Sequence, residues 1–170
     1  MIKCFFLDRD GVLIKNYGYF HKEDKIKWLK GAINSIKYLN FKKIKVVVIT
    51  NQSGVARGYF SEKQLKIFHQ TMLKHLLKRK AKIDEIFYCP FHEHGVIKKY
   101  KKKSNLRKPD NGMLLKAMKQ FKLHPSECVM IGDQRSDYLC AKKSKVYFEY
   151  KKKYALDIQV NNVLKKFNDK

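Results

Sequence analysis

The chain has 170 residues, of which 44% are hydrophobic and 13% aromatic, a balance that excludes a disordered chain and indicates a globular protein. Its length predicts a single domain, residues 1–170, with a sizeable core. Apolar runs such as Val46–Ile49 are too short to cross a bilayer, and the first residues show no signal peptide. We therefore expect a monomeric cytoplasmic protein with reduced cysteines and no membrane partner.

The charge is strongly positive: 39 Lys and Arg residues against 15 Asp and Glu residues give a formal net charge of +24. Such a field attracts phosphate groups, nucleic acids or anionic membrane surfaces. The lysines, however, are spread over nearly every predicted element, and arginines are few. A dispersed excess of this kind is typical of a solvated surface, so no specific nucleic-acid partner is expected.

Apolar runs typical of strands alternate with helical patterns along the first half of the chain. The run KCFFLD predicts a first strand, LKGAINSIKYLNF a helix, and IKVVVIT a second, fully buried strand. After a polar loop, Ser61 and Gln64 form a capping-box signature that predicts the start of a helix spanning about 62–80. His69 and His75 are expected on a solvated face of that helix.

The same alternation continues in the second half. KIDEIFYC predicts a third strand, and GMLLKAMKQFKL, ECVMIGD, SDYLCAKKS and KVYFEY then predict helix, strand, helix and a final strand. The segment from Pro90 to Pro109 has little periodicity and predicts an excursion from the sheet. Strands alternating with helices indicate an α/β fold with a mostly parallel sheet covered on both faces.

Polar side chains follow three of the predicted strands at their carboxyl ends. Asp8 and Asp10 follow the first strand, Thr50 and Asn51 end the second, and Asp133 ends the fourth. In open α/β sheets ligands bind beyond these ends, so the clusters are expected to share one site.

This set of residue types suits phosphate chemistry. Carboxylates are the hard oxygen ligands that Mg²⁺ prefers, and Mg²⁺ in turn recruits phosphate oxygens. A carboxylate can also attack phosphorus, and a hydroxyl such as Thr50 with a cation such as Lys108 can donate to the developing charge. The sequence therefore predicts a phosphorylated small-molecule substrate.

Four motifs in this order resemble those of the haloacid dehalogenase (HAD) superfamily of phosphatases. They are DRDGVL at Asp8–Leu13, VVVITNQSG around Thr50, RKP at Arg107–Pro109 and MIGDQRSD around Asp133. The fuller strings FLDRDGVL, TNQSGVARG and RKPDNGM resemble a narrower branch, the D-glycero-D-manno-heptose 1,7-bisphosphate 7-phosphatases and the histidinol-phosphatases. The resemblance implies a Rossmann-like three-layer sandwich without a large cap domain.

The resemblance also implies a role for each motif residue. Asp8 would be the nucleophile and Asp10 the acid and later the base, while Thr50 and Lys108 would hold the phosphoryl oxygens. Mg²⁺ would be bound by the Asp8 carboxylate, the Asp10 main-chain carbonyl and Asp133. The implied substrate contacts are Asn16, Tyr17, Gly18, Tyr19, Asn51, Gln52, Ser53, Arg107 and Gln134.

Two departures from the branch stand out. Gln134 stands where the heptose enzymes typically have a lysine, which weakens one phosphate contact, and Asp137 is expected to support Lys108 or the metal waters. In the branch's zinc loop Cys89 is kept, but three ligand positions carry other residues: Phe91, Ser104 and Leu106. His92 and His94 are near, but a structural zinc needs four ligands, so no zinc is expected.

The implied function is Mg²⁺-dependent phosphomonoester hydrolysis through an aspartyl-phosphate. The first hypothesis is removal of the 7-phosphate of heptose 1,7-bisphosphate in the synthesis of the lipopolysaccharide core precursor ADP-heptose. Histidinol-phosphate hydrolysis in histidine biosynthesis is the alternative, since the same strings fit it. A polynucleotide phosphatase is favoured by charge alone, and a non-catalytic phosphate-binding module is disfavoured by the intact motif residues.

Overall fold

The structure is a computed structural model, and it describes residues 1–19, 22 and 26–168. Its centre is a five-stranded sheet in the order β3-β2-β1-β4-β5, in which every neighbouring pair is parallel. The strands are β1 (Cys4–Leu7), β2 (Lys45–Asn51), β3 (Glu85–Cys89), β4 (Cys128–Gly132) and β5 (Tyr147–Tyr150). The parallel sheet predicted from the apolar runs is confirmed, with each predicted strand in place.

Five helices are described: α1 (Ala32–Phe41), α2 (Glu62–Leu77), α3 (Gly112–Phe121), α4 (Arg135–Lys143) and α5 (Leu156–Asn168). The predicted capping box opens α2, because Ser61 Oγ accepts from the Gln64 N–H at 3.1 Å and Gln64 Oε1 accepts from the Ser61 N–H at 2.7 Å. None of the helices in the described part of the chain is long and apolar enough to cross a bilayer.

The sheet separates two layers of helices, and β1 contributes to both. Phe5 and Leu7 pack in one cluster with α1, α2 and α5, whereas Cys4 and Phe6 pack in another with α3 and α4. This alternation follows from the two-residue period of a strand. The three-layer sandwich is therefore confirmed, and the carboxyl edge of β1 lies in its middle.

Helix α5 was not among the predicted elements, which ended with the strand KVYFEY. Its buried residues Leu156, Val160, Val163 and Leu164 belong to the same cluster as α1 and α2. Their spacing of four, three and one residues places them on one helical face. The helix therefore completes one layer of the sandwich.

Four helices end beside a lysine with left-handed backbone geometry. Lys43, Lys80, Lys122 and Lys145 follow α1, α2, α3 and α4 and have φ angles between 52° and 58°. Glycine is the usual residue for such a helix end, because it has no Cβ to clash.

The excursion at 90–109 has one short 3₁₀ turn, Lys98–Tyr100, and is anchored to α2. The Glu62 carboxylate accepts from the Tyr88 hydroxyl at 2.8 Å and from the Tyr100 hydroxyl at 2.7 Å. Its middle is also tied to the loop before α2, where the Ala56 carbonyl accepts two main-chain N–H groups. These contacts hold the segment that ends in Arg107 and Lys108.

Candidate active site

A cavity of about 460 Å³ lies beyond the carboxyl ends of β1, β2 and β4. Every residue predicted for the site lines it except Tyr17; the others are Asp8, Asp10, Asn16, Gly18, Tyr19, Thr50, Asn51, Gln52, Ser53, Arg107, Lys108, Asp133 and Gln134. Gly54, Ser136 and Asp137 also line it. The three polar strand ends thus meet at one place, as the parallel topology requires.

Asp8 and Lys108 form a buried ion pair at the floor of the cavity. Lys108 Nζ lies 2.8 Å from Asp8 Oδ1, 2.6 Å from Asp137 Oδ1 and 2.8 Å from the Ile49 carbonyl oxygen. Burial acts to lower the pKa of Lys108, but the two carboxylates outweigh it and raise that pKa. Lys108 is therefore a fixed cation next to Asp8.

The carboxyl group of Asp8 has an unusual environment. Burial raises its pKa to about 7, with Asp137 and Asp10 adding to the rise and Lys108 opposing it. A carboxylate in this setting lacks enough positive charge around it. The site therefore suits an additional cation or a bound proton.

The carboxylates of Asp8, Asp133 and Asp137 form an acidic cluster whose ligand atoms lie within 4.8 Å of one another. Asp133 Oδ1 is buried without a hydrogen-bond partner, and burial raises the pKa of Asp133. Gly11 approaches this group so closely that a Cβ there would collide with the Asp133 carboxylate. An orphaned carboxylate oxygen in an oxygen-rich cluster fits a Mg²⁺ site.

Asp10 lines the same cavity but pairs with a different cation. Arg9 Nε donates to Asp10 Oδ1 at 3.0 Å, and Arg9 Nη2 donates to Asp10 Oδ2 at 2.8 Å. The Gln52 side-chain amide donates to Asp10 Oδ2 and to Thr50 Oγ1, both at 2.9 Å. Asp10 is thus paired with Arg9, whereas Asp8 shares Lys108 with Asp137.

His69 is not on a solvated face, so that prediction was wrong. It is 6% exposed, and its Nε2 lies 3.0 Å from Arg9 Nη1. Burial, together with the nearby Arg9, lowers the pKa of His69 to about 3. Its place beside the buried Phe68 and Met72, one turn apart on α2, is the sequence signal that indicates burial.

The segment carrying Lys108 is fastened to the end of β2. Asn51 Nδ2 donates to the Lys108 carbonyl, and Asn51 Oδ1 accepts from the Lys108 N–H, both at 3.0 Å. Asn51, predicted as a substrate contact, therefore uses its side chain to hold the main chain of Lys108.

The altered loop shows no cluster of zinc ligands. In the described residues the one group of three or more candidate ligands is the acidic cluster already named. Cys89 Sγ is 3.9 Å from the Phe91 carbonyl oxygen, and His92 Nε2 is 3.1 Å from Arg57 Nη2. Burial raises the pKa of Cys89, which disfavours the thiolate that zinc requires.

The family model for haloacid dehalogenase-like hydrolases matches residues 2–145 of this chain. The chain belongs to that family. It is a HAD hydrolase of the phosphatase type, as the four motifs predict.

A relative from Haemophilus influenzae is 42% identical over 137 residues, covering 81% of this HAD chain and 74% of its own, and is named D-glycero-beta-D-manno-heptose-1,7-bisphosphate 7-phosphatase. A solved HAD-like phosphatase from Mesorhizobium loti is 31% identical, with a TM-score of 0.80 over 85% of this chain and 69% of its own. A D,D-heptose 1,7-bisphosphate phosphatase structure from B. bronchiseptica, at 24% identity, superposes with a TM-score of 0.78 over 97% and 99% of the two chains.

Proposed function

We propose that this HAD hydrolase removes a phosphate from a phosphorylated sugar through a covalent intermediate on Asp8. The observation that carries the proposal is the buried Asp8–Lys108 pair, with Nζ to Oδ1 at 2.8 Å, inside a cavity that also holds Asp10 and Thr50. A nucleophilic carboxylate, a fixed cation and a second carboxyl group are the parts that phosphoryl transfer to an aspartate needs.

In the first step Asp8 attacks the substrate phosphorus. Lys108 binds Oδ1, so Oδ2 is the oxygen we assign to the new P–O bond. As that bond forms, the bond to the leaving oxygen breaks, and the leaving oxygen takes a proton from the Asp10 carboxyl group. Thr50 and Lys108 donate to the phosphoryl oxygens.

In the second step water attacks the phosphorus of the aspartyl-phosphate. Asp10, now deprotonated, takes a proton from that water, which follows from the reversal of its first role. The bond between phosphorus and Asp8 breaks, inorganic phosphate leaves, and the Asp8 carboxylate is restored.

Asp8, Asp133 and the Asp10 main-chain carbonyl would hold Mg²⁺, with Asp137 at the edge of the acidic cluster. When bound, the ion supplies positive charge next to the phosphoryl oxygens. This role is supported by the orphaned Asp133 Oδ1 and by the closeness of the carboxylates.

For the substrate we propose D-glycero-D-manno-heptose 1,7-bisphosphate, cleaved at the 7-phosphate, in the cytoplasmic synthesis of ADP-heptose. The names of the relatives support it, including one from Escherichia coli K12 that is 35% identical over 82% of this chain. Arg107 lines the cavity as a cation beyond the Asp8–Lys108 pair, where a second phosphate could be bound.

The experiment is phosphate release in the presence of Mg²⁺ from heptose 1,7-bisphosphate, histidinol phosphate and a 3′-phosphorylated oligonucleotide. We expect kcat/KM to be highest for the heptose compound, with mass spectrometry showing loss of the 7-phosphate. Preference for histidinol phosphate would move the chain to the alternative reaction. Preference for the oligonucleotide would instead assign a function to the +24 charge.

A further inference from the structure

Arg9 is a buried cation that the mechanism above does not use. It is 1% exposed and is the largest fully buried side chain in the described part of the protein. A guanidinium is seldom buried so completely unless its surroundings pair it and cover its faces. Its environment therefore indicates what it does.

On one side Arg9 donates two hydrogen bonds to the Asp10 carboxyl group, from Nε to Oδ1 at 3.0 Å and from Nη2 to Oδ2 at 2.8 Å. A bidentate pair of this kind fixes the plane of a carboxyl group as well as its position. The Gln52 side-chain amide donates a third hydrogen bond to the Asp10 carboxyl group, at Oδ2. Oδ2 therefore accepts two hydrogen bonds, whereas Oδ1 accepts one. Oδ1 is therefore the oxygen with capacity left for a proton in transfer.

On the other side Arg9 is held by α2. Its guanidinium carbon lies 4.9 Å from the centre of the Phe68 ring, and its Nη1 lies 3.0 Å from His69 Nε2. Because His69 is buried next to a cation, the ring is neutral and Nε2 accepts from Arg9. His69 does not line the active-site cavity. Among the contacts described, its hydrogen bond with Arg9 is the one that links it to Asp10.

We propose that Arg9 and His69 are positioning residues, in which His69 fixes Arg9 and Arg9 fixes the Asp10 carboxyl group for proton transfer to the leaving oxygen. This inference rests on the proposed role of Asp10. It makes the proton-transfer step depend on a residue of α2 that lies outside the cavity.

Two substitutions at His69 and one control test this chain of contacts. His69→Leu removes the acceptor for Arg9 at similar volume, and His69→Gln returns an oxygen that can accept the same hydrogen bond. Met72→Leu changes a buried residue of the same face of α2 that is not among the Arg9 contacts described, and so measures the effect of repacking alone. Circular dichroism and urea unfolding establish that each variant is folded.

The readout is kcat/KM for two substrates that differ in how much proton transfer they need. p-Nitrophenyl phosphate releases a weakly basic oxygen that departs with little protonation, whereas glycerol phosphate releases a strongly basic one. kcat/KM reports on the steps up to phosphoryl transfer to Asp8, so the second step does not enter.

We expect His69→Leu to lower kcat/KM by about tenfold for glycerol phosphate and by less than about twofold for p-nitrophenyl phosphate. His69→Gln should recover most of the loss, and Met72→Leu should change neither value. A purely structural effect would lower kcat/KM for both substrates by the same factor. An equal loss for the two substrates, or no loss in folded His69→Leu, therefore overturns the inference.

Arg9→Lys provides an independent test if His69→Leu does not fold. Lysine keeps the positive charge but lacks the planar guanidinium that donates to both Asp10 oxygens. The same difference between the two substrates is expected, and its absence overturns the inference. Wild-type protein that releases phosphate neither from these two substrates nor from heptose 1,7-bisphosphate would overturn the proposed function itself. Wild-type activity that Asp8→Asn abolishes, without the substrate difference in the variants, would overturn the positioning role only.

Discussion

At the residue scale, the two carboxylates that follow β1 differ in their partners. Asp8 is paired with Lys108, a residue 100 positions away, and Asp10 with its neighbour Arg9. Two carboxylates in one cavity would repel each other without such cations. Their different partners suit different tasks, since Asp8 is assigned to attack phosphorus and Asp10 to move protons.

Asp8→Asn is expected to abolish turnover and leave the fold intact. An amide cannot form the covalent bond to phosphorus, so phosphate release should fall by at least about a thousandfold. The control is Asp157→Asn, at the start of α5 and outside the cavity lining, which should retain activity. Substantial turnover by folded Asp8→Asn would remove Asp8 from the nucleophile's role.

His69 should make the stability of the protein depend on pH. Its pKa is about 3 in the folded protein against an ordinary value of 6.5, so between these values only the unfolded chain binds the proton. Above pH 6.5 His69 is neutral in both states and does not affect the free energy of unfolding. As pH falls from 6.5 towards 3, the free energy of unfolding decreases by at most about 1.4 kcal/mol per pH unit.

The test compares urea unfolding of the wild type and His69→Gln from pH 7.5 down to about 4. Glutamine does not titrate, so the wild type should lose stability relative to the variant as pH decreases. Met72→Leu, which keeps His69, should follow the wild type. A constant difference between wild type and His69→Gln would mean that His69 binds a proton as readily in the folded protein as in the unfolded chain.

At the scale of elements, the excursion at 90–109 is held by hydrogen bonds to α2 and to the loop before it. Tyr100→Phe removes one of the two hydroxyl groups that donate to Glu62. We expect the free energy of unfolding to fall by about 0.5–1.5 kcal/mol. KM should rise as well, because Arg107 and Lys108 lie at the end of this segment.

The matched control is Tyr147→Phe, which removes a hydroxyl that donates to Glu149 at 2.9 Å on β5. It should lose similar stability without a change in KM, and hydrogen exchange should increase at 90–109 only in Tyr100→Phe. If both variants had the same KM, the anchor on Glu62 would have no part in substrate binding.

The strands and the site were predictable because both depend on local pattern. Apolar runs mark the strands, and parallel topology then brings residues such as Thr50 and Asp133 to one edge. The Arg9–His69 contact was not predictable in this way, since the two residues are 60 positions apart and His69 lies outside the four motifs. Helix α5 was missed because its apolar spacing lies among Lys and Asn residues without a clear start signal.

At the scale of the whole molecule, we make one prediction about Mg²⁺ and another about zinc. Chelation should stop phosphate release and added Mg²⁺ should restore it, because the acidic cluster has more negative charge than Lys108 balances. Elemental analysis of the purified protein should find no stoichiometric zinc, which stays a prediction. Undiminished activity in excess chelator would contradict the expected requirement for Mg²⁺. One zinc per chain would contradict the expectation that the purified protein holds no stoichiometric zinc.

The four lysines that follow α1 to α4 with φ near 55° have a consequence for heat tolerance. A left-handed backbone costs a side-chain-bearing residue about 1 kcal/mol that glycine avoids. The positions end different helices, so the gains from Lys→Gly changes should add nearly independently. Each kilocalorie should raise the melting temperature by about 2–4 °C in a chain of this size. Lys→Gly changes at these four positions are therefore expected to raise the melting temperature, and thermal unfolding of the fourfold variant beside the wild type measures the gain.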